Sequence, residues 1–393
     1  MRVGLDVRLL ETNRPGVNRY VSNLLQALAR VDSANEYLCF VGNNECRDLP
    51  GAGNFRQVRV PGPASPTAGT LLDLSPWLPA GKIDLYHSLI PLTPLILPCP
   101  SVVTLHDFQP LLVQRLRNKY PEFESRRAFL HQKTIDLFYR FTYRRALSRA
   151  RGIICISRHT ADRLKILFPE TAGRDRVVYY GLEKKFRPIE RPDLLRTVRE
   201  TYSLPERFLF YAGTNRPNKN LPRLLDAVKL LLEDGPRNCP DLRLVAAGFE
   251  HPAYPPVMEL ARARGIADRV LHVGEVSHDR LPLFYNLADA AVLVSFLEGF
   301  GFPPLEALAC GTPVVAARDS SLPEVVGDAG VMVDPLDIED IARGIFLLWS
   351  DAELRREYSR RGRERALLFD WDRAGRETVR FYTDILSPSA MPV

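Results

Sequence analysis

Ser295-Phe296-Leu297-Glu298-Gly299-Phe300-Gly301-Phe302-Pro303-Pro304-Leu305-Glu306 is the stretch of this 393-residue chain best equipped for chemistry. Gly299 and Gly301 let the backbone approach a ligand closely, and the prolines suit helix positions that need no N–H. A helix opening here presents free N–H groups and about half a positive charge, which makes a ready anion site with Glu306 in its first turn. On one continuous helix Glu298 and Glu306 would stand about 12 Å apart. That exceeds the roughly 5–5.5 Å of a retaining glycosidase pair, so the glycine loop must fold back and give the two glutamates different jobs.

A second constellation is Gly213-Thr214-Asn215-Arg216-Pro217-Asn218-Lys219-Asn220. Arg216 and Lys219 stand at a predicted helix start, where basic groups oppose the dipole; that costly placement suggests a bound anion such as a diphosphate. Both loops leave the carboxyl ends of predicted strands, where doubly wound sheets gather their ligands, and His87 and His106-Asp107 end strands in the same way. Converging on one ligand, the loops could hold its phosphates while Glu306 accepts hydrogen bonds from hydroxyl groups. A nucleotide sugar suits that set of groups.

The elements that must position these residues alternate regularly. Arg2–Val7 reads as a strand, a loop with Pro15-Gly16 follows, and Val17, Val21, Leu24, Leu25 and Leu28 repeat at helical spacing. Further strands are expected at Tyr37–Val41, Phe55–Val60, Asp84–His87, Val102–Leu105 and Ile153–Ile156. Pro188, Pro192 and Pro205 among charged residues mark a boundary. Beyond it come strands at Arg207–Gly213, Leu242–Gly248, Val270–Val273, Ala290–Phe296, Thr312–Ala317 and Gly330–Val333, with helices at Leu221–Glu233, Val257–Arg264, Arg280–Leu287 and Pro304–Cys310. Such repeats imply two doubly wound α/β domains, with the cleft between them as the default ligand site. Ile338–Leu386 reads as three helices, the last opened by Trp371-Asp372 with Asp372 as its cap. The D-x-D run Asp370-Trp371-Asp372 fits a cap better than a metal site.

Composition narrows the function classes. With 46% hydrophobic and 25% charged residues the chain is an ordinary globular protein long enough for two cores. The apolar run after Met1-Arg2 stops at Asp6, too short for a signal peptide, and Pro94, Pro98, Pro100 and Asp289 interrupt the candidate membrane spans. Six scattered cysteines, with no C-x-x-C pair, read as reduced core thiols of a cytoplasmic protein. The net charge of +6 is concentrated between Arg115 and Arg151, where eleven basic residues face three acidic ones. Aromatics interleave there, including Tyr120, Phe123, Phe138 and Phe141. The segment could rest on an anionic membrane surface or meet a lipid-linked acceptor; alternatively it is a surface helix pair with its aromatics packed inward. No nucleic-acid motif accompanies the charge.

Leu281 through Asp334, with E-G-F-G-F-P-P-L-E-A-L-A-C-G-T-P-V-V-A and then S-L-P-E-V-V-G-D-A-G, resembles the retaining glycosyltransferases of family 4. G-L-D-V-R-L-L, P-G-V-N-R-Y, T-L-H-D, I-C-I-S-R-H-T, G-T-N-R-P-N-K-N-L and the final W-D helix extend the likeness over nearly the whole chain. The resemblance implies the GT-B fold, with Rossmann-like domains at 1–187 and 188–370 facing across a cleft and a helix at 371–393 packing back on the first. It implies that Lys219, with Arg216 and backbone N–H groups around Gly301–Pro303, holds the donor diphosphate alongside Gly213, Thr214, Gly299, Phe300 and Phe302. Glu306 would bind the ribose, Val276 and Leu281 would flank the base, and Glu298 would contact the transferred sugar. His106 would sit beside the reacting sugar, and Gly16 would let the first loop approach the phosphates. Many relatives carry Arg where this chain has Thr214, which makes Arg216 the substitute, and glycine is frequent where it has Asn18.

The activity so implied is metal-independent, retaining transfer of a hexosyl group from a UDP-, GDP- or dTDP-sugar to a glycan, lipid-linked or small-molecule hydroxyl. The enzyme would be cytoplasmic or peripheral on the cytoplasmic membrane face, and would need no cofactor beyond the donor. A sugar-nucleotide 2-epimerase on the same scaffold is the rival reading and would need no acceptor. An inactive sugar-nucleotide-binding protein is a third, against which the presence of Glu298, Glu306, Lys219 and His106 argues.

Overall fold

A computed structural model describes residues 1–11, 15–42, 49–60, 78, 82–108, 128–233 and 237–387. The chain divides into two compact units, one containing Met1–Leu111, His131–Gly181 and Phe369–Val393, the other containing Leu182–Leu368.

The first unit is built on a seven-stranded sheet in the order β3-β2-β1-β4-β5-β6-β7. Its strands are β1 Arg2–Asp6, β2 Glu36–Val41, β3 Phe55–Arg59, β4 Leu85–Ser88, β5 Ser101–Leu105, β6 Gly152–Cys155 and β7 Asp175–Val177. All pair in parallel. Strands covered on both faces must be apolar throughout, and β4, β5 and β6 are buried along their whole length. His87 on β4 is therefore a core residue: its imidazole meets Thr104 Oγ1 at 2.8 Å and the Tyr382 hydroxyl. Burial drives its pKa down to about 3, so it stays neutral.

The second unit has six parallel strands in the order β10-β9-β8-β11-β12-β13. They are β8 Leu209–Ala212, β9 Leu244–Ala247, β10 Val270–His272, β11 Ala290–Leu293, β12 Val314–Ala317 and β13 Val331–Val333. Helix Leu221–Glu233 buries Leu221, Leu224, Leu225, Val228 and Leu231; a fully buried Leu contributes about 1.5–3 kcal/mol. The strand order reverses between β8 and β11, the switch point at which crossover helices splay to opposite faces and leave a crevice. Both glycine loops singled out in the sequence emerge there.

The carboxy-terminal helix Trp371–Leu386 lies in the first unit, where its Asp372 pairs with Arg30 of helix Pro15–Val31 at 2.6 Å. It also reaches β6, where a β-carbon on Gly152 would stand 2.0 Å from Ile385 Cδ1. The helix cap is Asp370, whose carboxylate accepts from Arg373 N; the expected cap, Asp372, sits one residue inside the helix and faces Arg30 instead. Strand β7, absent from the sequence reading, is short and only half-buried; the apolar run Val177-Val178-Tyr179-Tyr180, which begins on its last residue, is the one signal for it. Among the described residues no helix is long and apolar enough to cross a membrane.

The first part of the basic window lies outside the described residues: Arg115, Arg117, Lys119, Tyr120, Phe123, Arg126 and Arg127 all do, as does Cys46 among the thiols. Helix Ala128–Arg149 carries the remainder, with Arg140, Arg144 and Arg149 exposed and Phe138 half-buried.

Candidate functional site

In the second unit the loop after β8 is held from below. Gly213 N donates to Ala247 O at 2.9 Å, and the Tyr211 hydroxyl donates to Thr214 O at 2.7 Å. Gly248 supports it at close range: with φ +147° and its α-carbon against the Gly213 carbonyl, a β-carbon there would lie 2.0 Å from that oxygen. Asn215 is buried and ties this loop to the next one, donating to the carbonyls of His251, Tyr254 and Pro255 and accepting from His251 N at 2.7 Å. Arg216 is exposed. Its guanidinium helps to hold His251 below the usual histidine pKa, after the larger effect of burial.

The loop after β11 is sewn to this one. Asn218 O accepts from Phe296 N at 2.8 Å and its side-chain amide donates to Leu297 O, while the Asn220 amide donates to Val294 O and Pro335 O. Asn220 holds a left-handed conformation, φ +56°, which asparagine tolerates better than most residues. These bonds place Lys219 Nζ 2.6 Å from Glu298 Oε1, with the two side chains only 17% and 12% exposed. The two constellations thus meet. A salt bridge this sheltered is weakly screened, and an anion arriving at Lys219 finds a cation already oriented.

Ser320 and Ser321 clamp the glutamate loop. The Ser320 hydroxyl accepts from Glu298 N at 2.7 Å and donates to Glu298 O at 2.6 Å, and Ser321 Oγ donates to Phe300 O at 2.8 Å. Gly301, φ +109°, then caps helix Phe302–Cys310, and Phe300 is buried against Phe302. Two expectations change here. Pro303 and Pro304 occupy the first turn and carry no N–H, so the donors this turn can offer are those of Gly301 and Phe302. Glu306 falls in the second turn, buried to 1%, with the Tyr285 hydroxyl donating to its Oε2 at 3.1 Å. Tyr285 belongs to helix Leu281–Leu287, which Leu281 opens; Val276 is buried in the segment between β10 and that helix.

His106 and Gly16 lie in the first unit. Gly16 is in the first turn of helix Pro15–Val31 and not in a preceding loop; it is exposed, and a β-carbon on it would have no protein atom within 4 Å. Local packing therefore does not demand glycine there. His106 follows β5. Its Nε2 is 2.7 Å from Leu89 O and its Nδ1 meets the Tyr180 hydroxyl. Burial lowers its pKa to about 4.

Gly248, Ser320 and Tyr285 were given no role by sequence reasoning, and Asn215 appeared in its loop without one. Gly248 left a trace as the glycine ending a strand; Asn215, Ser320 and Tyr285 act through partners distant in sequence.

The description "Glycosyltransferase Family 4" matches residues 15–185, and "Glycosyl transferases group 1" matches residues 199–365. An O-antigen chain mannosyltransferase B of Escherichia coli is 30% identical over 237 residues, which are 60% of this chain and 61% of that one. The chain spans less than two thirds of the length of the first curated relatives it matches. A sucrose-phosphate synthase structure from Thermosynechococcus elongatus superposes over 99% of both chains with TM-score 0.72 at 21% identity. An Anabaena protein solved in complex with UDP and glucose covers 97% of this chain, and this chain covers 99% of it, with TM-score 0.67 at 18% identity.

Proposed function

We propose that this chain, which belongs to the family 4 glycosyltransferases and has their GT-B fold of two Rossmann-like domains, transfers a hexosyl group from a nucleotide-diphosphate sugar to an acceptor hydroxyl with retention of configuration. The Lys219–Glu298 contact carries this reading, because it joins the two glycine loops at the switch point of one sheet. Before donor binding Glu298 neutralises Lys219. When a diphosphate arrives, its oxygens take over the ammonium, assisted by Arg216 and by the N–H groups of Gly301 and Phe302. Glu298 is then released to accept hydrogen bonds from hydroxyls of the transferred sugar. Glu306, aligned by Tyr285, accepts from the ribose, and Val276 and Leu281 flank the base.

In the transfer step the bond between the sugar C1 and the β-phosphate oxygen breaks as the acceptor oxygen bonds C1 from the same face. The acceptor proton passes to the departing phosphate. Lys219 and Arg216 stabilise the charge that grows on the diphosphate, and stabilising developing charge in a prepared site is the largest catalytic contribution such a site can make. His106, neutral and held at both nitrogens, contributes position and a polar wall beside the sugar. The balance of charge calls for no metal ion, which EDTA treatment tests directly.

Likeness to an O-antigen chain mannosyltransferase supports a mannosyl donor and a growing polysaccharide acceptor. Titration with UDP, GDP and dTDP, followed by anomeric analysis of the product by NMR, tests the donor and the stereochemistry. Epimerisation of the donor without acceptor would replace transfer with the isomerase reading.

The acceptor side extends to an anionic lipid surface on the cytoplasmic face of the membrane. Leu137 and Phe141 stand 69% and 56% exposed one turn apart on helix Ala128–Arg149, among exposed Arg140, Arg144 and Arg149. Arg145 of the same helix donates to Thr93 O and Pro94 O, next to Ile96, which is 72% exposed. Apolar anchors among arginines favour anionic headgroups. Failure of phosphatidylglycerol vesicles to retain the protein at low salt would remove this partner.

A further inference from the structure

Two of the passages of the chain between its units, at Gly181/Leu182 and Leu368/Phe369, are packed together on the first-unit side. Tyr179 and Phe369 meet edge to face at 6.0 Å, and Tyr180 stacks on Trp371 at 5.6 Å with 24° between the rings. Gly181 lies against the Trp371 backbone, where a β-carbon would stand 2.2 Å from Trp371 N. This junction reaches His106 through the Tyr180 hydroxyl on Nδ1 and, beside it, through Tyr20, whose ring lies 6.2 Å from Trp371.

The proton inventory of His106 follows from its partners. A carbonyl only accepts, so the 2.7 Å contact with Leu89 O puts the imidazole proton on Nε2. The ring is neutral, since burial lowers its pKa to about 4. Nδ1 therefore keeps its lone pair, and the Tyr180 O–H donates to it. Tyr20 completes the setting, edge-on to His106 at 5.0 Å and tilted against Tyr180 at 4.9 Å. Tyr20 is itself pinned, its hydroxyl 2.8 Å from Thr104 Oγ1. A histidine whose second nitrogen is engaged has its tautomer and ring plane set by that partner.

We propose that Tyr180 is a positioning residue: it fixes the tautomer and orientation of His106 and, through its stack on Trp371, couples the imidazole to the passages at Gly181/Leu182 and Leu368/Phe369. A shift of the chain at either passage is then felt at His106. This rests on the reading that places His106 beside the reacting sugar.

Histidine-15N NMR of the full-length, ligand-free protein tests it without a donor. The wild type should show His106 as the neutral Nε2–H form down to about pH 5, with an Nδ1 signal typical of an accepted hydrogen bond. Tyr180→Phe keeps the ring on Trp371 and should move the Nδ1 signal toward that of a bare ring nitrogen. Trp371→Phe alters neither hydrogen-bond partner of His106 and should still move that signal; if it does not fold, Phe369→Leu takes its place. An unmoved Nδ1 signal in Tyr180→Phe overturns the positioning role, and an unmoved one in the junction variant overturns the coupling. In turnover of GDP-mannose, UDP-glucose or dTDP-rhamnose, Tyr180→Phe should lower kcat about fivefold to tenfold and leave nucleoside diphosphate affinity unchanged. Weakened affinity with kcat intact would count against it. Wild-type turnover by His106→Ala would sink the placement of His106 beside the sugar while leaving the NMR outcome to stand.

Discussion

Gly248 stands so close to Gly213 that a β-carbon on it would lie 2.0 Å from the Gly213 carbonyl oxygen. The contact sets the height of the loop carrying Arg216 and Lys219 above the sheet, and the φ of +147° at Gly248 adds a second requirement for glycine. Gly248→Ala should cost on the order of 2 kcal/mol or more through strain and displacement. Nucleoside diphosphate affinity should fall even in the fraction that folds. Denaturant unfolding and calorimetric titration of the same preparation check both parts.

Lys219 and Glu298 should separate on substitution, although they touch. Lys219→Ala removes a diphosphate ligand and leaves Glu298 as an unpaired carboxylate facing the anion, so affinity for the free nucleoside diphosphate should fall about tenfold or more. Glu298→Gln frees Lys219 from its internal partner and should preserve or strengthen that affinity while lowering kcat. Equal losses of affinity in the two variants would contradict the division of labour.

Glu306 is held by Tyr285 beneath the site. If it accepts from the ribose, wild-type protein should prefer GDP or UDP over the 2′,3′-dideoxy analogue, and Glu306→Gln should lose most of that preference. Tyr285→Phe should reduce the preference by about tenfold at most, the worth of one neutral hydrogen bond. Parallel titrations with each pair of nucleotides measure it.

His87 and His106 both have folded-state pKa values below the ordinary 6.5, at about 3 and about 4. Between those values and 6.5 the unfolded chain binds more protons, so stability rises with pH across that window and is lost as pH falls through it. The fully buried His87 alone should cost on the order of 2 kcal/mol on going from neutral pH to pH 5. Above about pH 8 neither group should contribute an appreciable slope. Denaturant midpoints between pH 7.5 and pH 5, compared with a His87→Asn variant, check the sign.

The alternation of strands and helices and the two glycine loops were legible because parallel strands are apolar throughout and their helices repeat at 3.6 residues, as in Leu221–Glu233. What escaped depends on neighbours remote in sequence. Ser320 acts on Glu298 across 22 positions, and Asn215 on His251 across 36. The donor count at the glutamate helix was readable in principle: two prolines in a first turn leave fewer N–H groups, whatever the dipole. The choice between Asp370 and Asp372 as cap was not, because both are acidic residues at the same helix start and the bond from Arg373 N to Asp370 settles it.

Helix Trp371–Leu386 belongs with elements far earlier in the chain, filling the hollow over Gly152 of β6 and lying beside helix Pro15–Val31. A ribosome delivers that piece only after the entire second unit has emerged. The opening unit must therefore wait, half-assembled and with an uncovered apolar seam, while its neighbour is made, and in a crowded cell that interval is when a chaperone would matter.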